Sequence, residues 1–167
     1  METQNQTVKI LSQLMGVSFL AEILMCWRLW FPIDREFPMI SAFSWLDFSI
    51  GIAGDCAISF ALLISLLFIA IDRRRNLSIV LALGFLLILI LEDINRLQPW
   101  VYTQGIILIL ILFNKEGREK ATVSGAMLVV AFMYMWSGIQ KFNLGFLQDT
   151  FPWMLSVFGF DFQIPVE

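Results

Sequence analysis

Five runs of predominantly apolar residues, three of them as long as a helix must be to cross a bilayer and the third and fourth shorter, dominate this chain and leave little for a soluble core. About 20 residues, rising roughly 1.5 Å each, cover the hydrocarbon thickness of about 30 Å. The runs fall at about 8–31, 48–71, 77–94, 99–113 and 121–142. Lipid offers a backbone no hydrogen-bond partners, so each run must satisfy its own N–H and C=O groups as a helix. The expectation is an all-α fold: a polytopic transmembrane bundle of about five helices, within a range of roughly four to six, in one integral membrane domain over 1–167. Composition agrees, with 59% of residues apolar and 15% charged. Residues 144–160 are aromatic and contain Pro152, which predicts an interfacial or re-entrant segment rather than a further span.

The basic residues give the orientation. Lys9, Arg73, Arg74, Arg75, Lys115, Arg118 and Lys120 fall on one side of the alternating runs, while Arg28, Arg35, Arg96 and Lys141 fall on or near the other. By the positive-inside rule the first group is cytoplasmic, which puts the N-terminus in the cytoplasm and the C-terminus outside, in a membrane such as the bacterial inner membrane. The first run follows no basic cluster and is broken by Glu22, so it reads as a retained span and not as a cleaved signal peptide. Aromatic residues at 27, 30, 31, 45, 100, 136, 151 and 153 are expected at the interface belts.

Several function classes drop out at once. The net charge is −3 and no basic face exists to neutralise phosphates, so nucleic acid is not a partner. The chain has no His, which removes imidazole ligation and His-based relays. Cys26 and Cys56 have no metal-binding spacing. They read as small apolar fillers, with a bridge between the first two helices conceivable. No metal site is expected.

The informative residues are the charges inside the runs. Counted along the helices, Glu22, Asp55, Glu92, Asp93 and Lys141 come to one level, within roughly 10 Å of the outer boundary. An unpaired charge there costs about 2.5–3.5 kcal/mol on the insertion scale, so mutual pairing inside the bundle is expected. Arg96 stands four residues after Glu92 and three after Asp93, within helical reach of both. Asp55 lies about 200° around its helix from Ala53. It therefore points away from the small-residue ridge of Ser49, Ala53, Ala57, Ala61 and Ser65, which suits close helix contact. On the last run Tyr134, Ser137 and Lys141 share one stripe. A lysine at a helix end ordinarily snorkels to the interface, whereas one held in an apolar pocket can serve as a base near neutral pH.

The segment Tyr134-Met-Trp-Ser-Gly138-Ile-Gln-Lys141-Phe-Asn143-Leu-Gly-Phe146 resembles the Tyr-x-x-Ala-Gly-x-x-Lys-Leu-Asp/Asn-x-x-Trp/Phe segment of the HTTM (horizontally transferred transmembrane) proteins, which include the vitamin K-dependent gamma-carboxylases. The stretch Asp93-Ile-Asn-Arg96-Leu-Gln-Pro-Trp100-Val-Tyr102 is similar to an outer segment of the same family. The resemblance implies that Lys141 is a base acting on a quinol at the outer face. Gln140 stands where the animal enzymes carry a further lysine, and His is absent, so it implies a relative rather than a complete carboxylase. Small DoxX-like and MauE-like membrane subunits of quinol or thiol redox systems are similar in size and in a Gly-x-x-Lys near a helix end.

Two functions follow, and the sequence leaves catalysis open. In the first, an outer-leaflet pocket binds a quinone-like or lipid-like ligand, with Lys141 as base or donor. Asp55, Glu92, Asp93, Asn95, Arg96, Tyr134, Ser137, Gln140 and Asn143 shape that pocket. In the second, the chain is a non-catalytic subunit or assembly factor whose charges and small-residue ridge meet a membrane-protein partner or a second copy of itself. A transporter is less favoured, since no inverted repeat is visible.

Overall fold

The structure, a computed structural model, describes residues 2–33, 38–43, 50–141 and 145–157. Asn143, Ser49, Arg35 and Trp45 lie outside the described residues. Every regular element among those described is helical: α1 Glu2–Met25, α2 Trp27–Trp30, α3 Gly51–Ala70, α4 Arg75–Glu92, α5 Pro99–Leu112, α6 Glu119–Gln140 and α7 Phe151–Val157. A 3-10 turn, Ile94–Arg96, precedes α5, and a π-helical turn, Phe146–Thr150, precedes α7. Four helical stretches are long and apolar enough to cross a membrane: Gln6–Met25, Gly51–Ala70, Arg75–Glu92 and Glu119–Gln140. The chain is thus an all-α integral membrane protein. α5 has 14 residues and a length of about 21 Å.

The chain divides into two compact units, Met1–Val129 and Val130–Glu167. In the first, α3 packs against both α1 and α4, while α5 packs against α1 and α4. The central position of α3 follows from its residues. Asp55, Ser59, Leu62, Ser65, Leu66 and Ile69 are buried on it, at spacings of three and four that make one helical face. Asp55 is buried and Ala53 exposed, so Asp55 points away from Ala53 as its angular offset predicts. Ala53 and Ala57 of the small-residue ridge are exposed, Ala61 is half-buried and Ser65 is buried, so the ridge runs from the surface into the core.

Helices α1 and α3 approach closely at Gly16. A methyl there would lie 2.7 Å from Ala70 N and 3.0 Å from Leu66 O, so only glycine lets the two backbones meet. One turn before it, Gln13 Nε2 donates to Ala70 O (3.2 Å). Lys9 pairs with Asp72 at 3.1 Å, which shows α1 and α3 to be antiparallel. The turn from α3 to α4 is tight, with Asp72 and Arg74 at φ 56° and 48°. Ser78 Oγ donates to Arg73 O (3.1 Å) to close it.

At the opposite end the structure departs from a simple bundle in two places. The first span is not one helix, because α1 stops at Met25 and α2 begins at Trp27. Cys26 between them has φ −104° and ψ 32°. No Pro or Gly marks this break, so sequence reading had no signal for it. Nor does α4 continue to 94. It ends at Glu92, and Asp93 turns to extended backbone (φ −143°, ψ 103°). The Asp93 carboxylate accepts from Asn95 N at 3.2 Å, an N-cap that starts the 3-10 turn instead. Pro99 then opens α5, where its missing N–H costs no helical bond.

Candidate functional site

Arg96 is the centre of one end of the first unit, the end away from Lys9 and Asp72. It is wholly buried, and three acidic residues around it, Asp55, Glu92 and Asp93, are each 2% exposed or less. Its Nη2 donates to Asp55 Oδ1 and Oδ2 at 2.7 and 2.6 Å. Nη1 lies 3.5 Å from Glu92 Oε2 and donates to Leu89 O at 3.2 Å. Nε donates to Leu29 O at 3.2 Å, and Nη2 also reaches Trp30 O at 3.5 Å. All three guanidinium nitrogens are engaged. Leu29 and Trp30 end α2, where the carbonyls have no following turn to supply donors, and Leu89 lies in the last turn of α4, where its carbonyl also accepts from Asp93 N at 3.1 Å. One cation thus caps two helix C-termini while two carboxylates balance its charge. Ser59 Oγ, one turn beyond Asp55, donates to Trp30 O (2.8 Å) and completes the joint.

Residues 38–43 line the acidic side and satisfy the non-helical backbone between α4 and α5. Ile94 N donates to Ile40 O (2.8 Å) and Ala42 N to Leu91 O (3.1 Å). Ile40 N donates to Asp93 Oδ1 (3.3 Å), Ile50 N to Glu92 Oε1 (3.1 Å), and Asn95 Nδ2 to Pro38 O (3.2 Å). Irregular backbone this close to lipid requires such cover.

Beside this joint is an open groove of about 760 Å³. Met25, Trp27, Leu29, Pro38, Ile40 and Trp100 supply its apolar walls; Cys26, Arg28, Asp93, Asn95 and Gln98 supply its polar groups. Arg28 lies over the Trp27 ring at 5.9 Å. Trp100 stands between Phe19, edge-on at 6.0 Å, and Trp30 at 6.1 Å. Trp30 and Phe31, expected in the interface belt, are instead buried in the core, whereas Trp27, Trp136 and Trp153 are exposed. Burial leaves Trp30 Nε1 without a hydrogen-bond partner among the described residues. Cys26 is exposed, Cys56 is half-buried, and both are free thiols.

The structure therefore brings together Asp55, Glu92, Asp93, Asn95 and Arg96. Glu22, expected at the same level, has a different partner: Gln104 Nε2 donates to Glu22 Oε2 (2.9 Å) and to Ser18 Oγ (3.1 Å). Gln104 and Ser18 were not legible as site residues, because single neutral polar residues in apolar helices carry no sequence signal. Tyr134, Ser137, Gln140 and Lys141 belong to the second unit. There Tyr134, Gln140 and Lys141 are exposed and Ser137 is half-buried. Lys141 N donates to Gly138 O (3.0 Å), which closes the end of α6.

No family model matches the chain, and no curated protein or solved structure matches it.

Proposed function

We propose that this protein crosses the membrane about five times and that the groove beside Arg96 takes a quinone-like or lipid-like amphiphile in a redox-linked process. The observation that carries the reading is the groove itself, with Trp27 and Trp100 on its apolar side and Asn95 and Gln98 on its polar side. Its volume of about 760 Å³ falls within the range of about 300–1,000 Å³ usual for small-molecule sites. An apolar body with a polar head matches such a lining. In this reading α5 is the short fourth span, and the segment at 144–160 lies at the interface. The N-terminus is cytoplasmic and the C-terminus outside, in a membrane such as the bacterial inner membrane. Arg96, Asp55 and Glu92 act as positioning residues that hold the groove's walls together.

The HTTM resemblance adds a separate proposal, that Lys141 acts as a base or donor with Tyr134, Ser137, Gln140 and Asn143 around it. Lys141→Ala and Lys141→Arg, assayed for quinone binding or turnover in membranes, test it; unchanged behaviour in both removes Lys141 from any chemical role. For the groove, the test is mass spectrometry of lipids and quinones retained through purification. A defined amphiphile lost in Trp100→Ala supports the reading, and none retained by the wild type counts against it.

A second reading, a non-catalytic subunit or assembly factor, draws on a different observation. Ala53 and Ala57 are exposed on α3, where small side chains permit close approach of a partner helix or a second copy. A stoichiometric partner in a pull-down from mild detergent, without a retained small molecule, would favour it.

A further inference from the structure

We propose that the groove selects a phospholipid whose headgroup is a zwitterion ending in a primary ammonium, of the phosphoethanolamine kind. The inference rests on the groove being an amphiphile site and names the head of that amphiphile. Apolar walls such as Trp27 and Trp100 suit any acyl chain, so the discrimination lies in the polar lining. Asn95, in the 3-10 turn, and Gln98, the residue before α5, both belong to that lining. Each amide is oriented through its nitrogen: Asn95 Nδ2 donates to Pro38 O at 3.2 Å, and Gln98 Nε2 donates to Asn95 O at 2.7 Å. That leaves the oxygens open. Neither Asn95 Oδ1 nor Gln98 Oε1 accepts a hydrogen bond among the described residues, and neither is sealed from the surface. The polar wall therefore offers an occupant two amide acceptors, which call for a donor.

Charge narrows the choice of donor. Among the lining residues Arg28 and Asp93 are the charged ones, and they come from different parts of the chain. Arg28 belongs to α2 and lies over the Trp27 ring at 5.9 Å. Asp93 follows α4, and its Oδ1 accepts from Ile40 N and Asn95 N, which fixes the carboxylate beside the Asn95 amide. One wall thus carries a cation, and the other carries a carboxylate with two amide oxygens. A head that complements both is itself a zwitterion, with its phosphate toward Arg28 and its ammonium toward Asp93, Asn95 and Gln98. A primary ammonium has three N–H groups for those oxygens. A phosphocholine head has the same charges but no N–H to give. A phosphoglycerol head has hydroxyl donors but no positive charge, so it brings net negative charge against Asp93.

The experiment titrates dioleoyl phosphatidylethanolamine, phosphatidylcholine and phosphatidylglycerol, identical in their chains, onto the purified full chain in mild detergent, with bound lipid counted by native mass spectrometry. Phosphatidylethanolamine should bind at least about fivefold more tightly than either of the others, since hydrogen bonds to a charged donor are the stronger kind. In Gln98→Met its advantage over phosphatidylcholine should fall below about twofold, with the phosphatidylcholine Kd unchanged. Asp93→Asn, which keeps an acceptor for Ile40 N and Asn95 N, should narrow the advantage over phosphatidylglycerol and carries the test should Gln98→Met not yield monodisperse protein. Glycerophosphoethanolamine, the head without its chains, should not displace the bound lipid at equal concentration; displacement would make the site one for a soluble head and overturn the lipid assignment. Equal affinity for the three lipids, or a preference for either of the other two, overturns the headgroup selection and leaves the groove reading standing. A preference that survives both substitutions overturns it as well. If none of the three binds, the inference falls, and the groove reading falls with it when no other amphiphile is retained through purification.

Discussion

Replacing Arg96 by Met removes a buried cation that faces both Asp55 and Glu92, while keeping an unbranched apolar chain of similar length. Some of the lost bonds have substitutes. Trp30 O keeps the Ser59 hydroxyl, Leu89 O keeps Asp93 N, and Glu92 keeps Ile50 N. The dominant loss is charge compensation at Asp55, which is 1% exposed. Removing one partner of a buried ion pair costs about 3–5 kcal/mol. At about 2–4 °C per kcal/mol for a chain of this size, the Tm should fall by roughly 6–20 °C. The double variant Asp55→Asn/Arg96→Met removes one of the two buried carboxylates that Arg96 faces and leaves Glu92, so it should recover part of the loss. Arg96→Lys keeps the charge but not the planar fork, and should fall between wild type and Arg96→Met. The assay is thermal unfolding in one detergent, followed by far-UV circular dichroism and by size exclusion after heating. A Tm for Arg96→Met within about 2 °C of wild type, or a double variant less stable than Arg96→Met, would falsify the account of Arg96 as the charged brace of this end of the unit.

Three further outcomes test separate parts of the structure. Gly16→Ala drives a methyl into the Ala70 backbone and should cost about 1–3 kcal/mol in the same assay, since the two helices must move apart. Asp93→Ala releases Ile40 N and Asn95 N from their shared acceptor; hydrogen exchange over residues 38–43 should accelerate, with little change in the centre of α3, and equal protection in both proteins would show that the carboxylate does not hold the segment. Lys9→Ala removes an ion pair whose lysine side chain is 51% exposed and should leave the Tm within about 2 °C of wild type, since exposed pairs contribute about 0–1 kcal/mol. A larger loss would mean that the start of α1 and the end of α3 depend on it.

Several features were decided by the residues alone. Apolar runs of bilayer length permit only helices, because lipid forces each segment to satisfy its own backbone. The direction of Asp55 relative to Ala53 follows from a turn of 100° per residue, whatever the neighbours are. Its need for a buried partner follows from the cost of an unpaired charge. Which partner it found was a tertiary matter. Arg96 is 41 residues away, and it reaches Asp55 because α4 stops at Glu92 and the chain turns back through a 3-10 segment. Gln104 meets Glu22 across 82 residues, in a pairing that depends on the rotation of α1 against α5. The break at Cys26 has no local marker either, and the carbonyls of Leu29 and Trp30 find their donor only because Arg96 lies beside them. Local periodicity and solvent thickness act within one segment and can be read along the chain. The pairing of buried polar groups depends on distances between segments, and those exist only once the helices have packed.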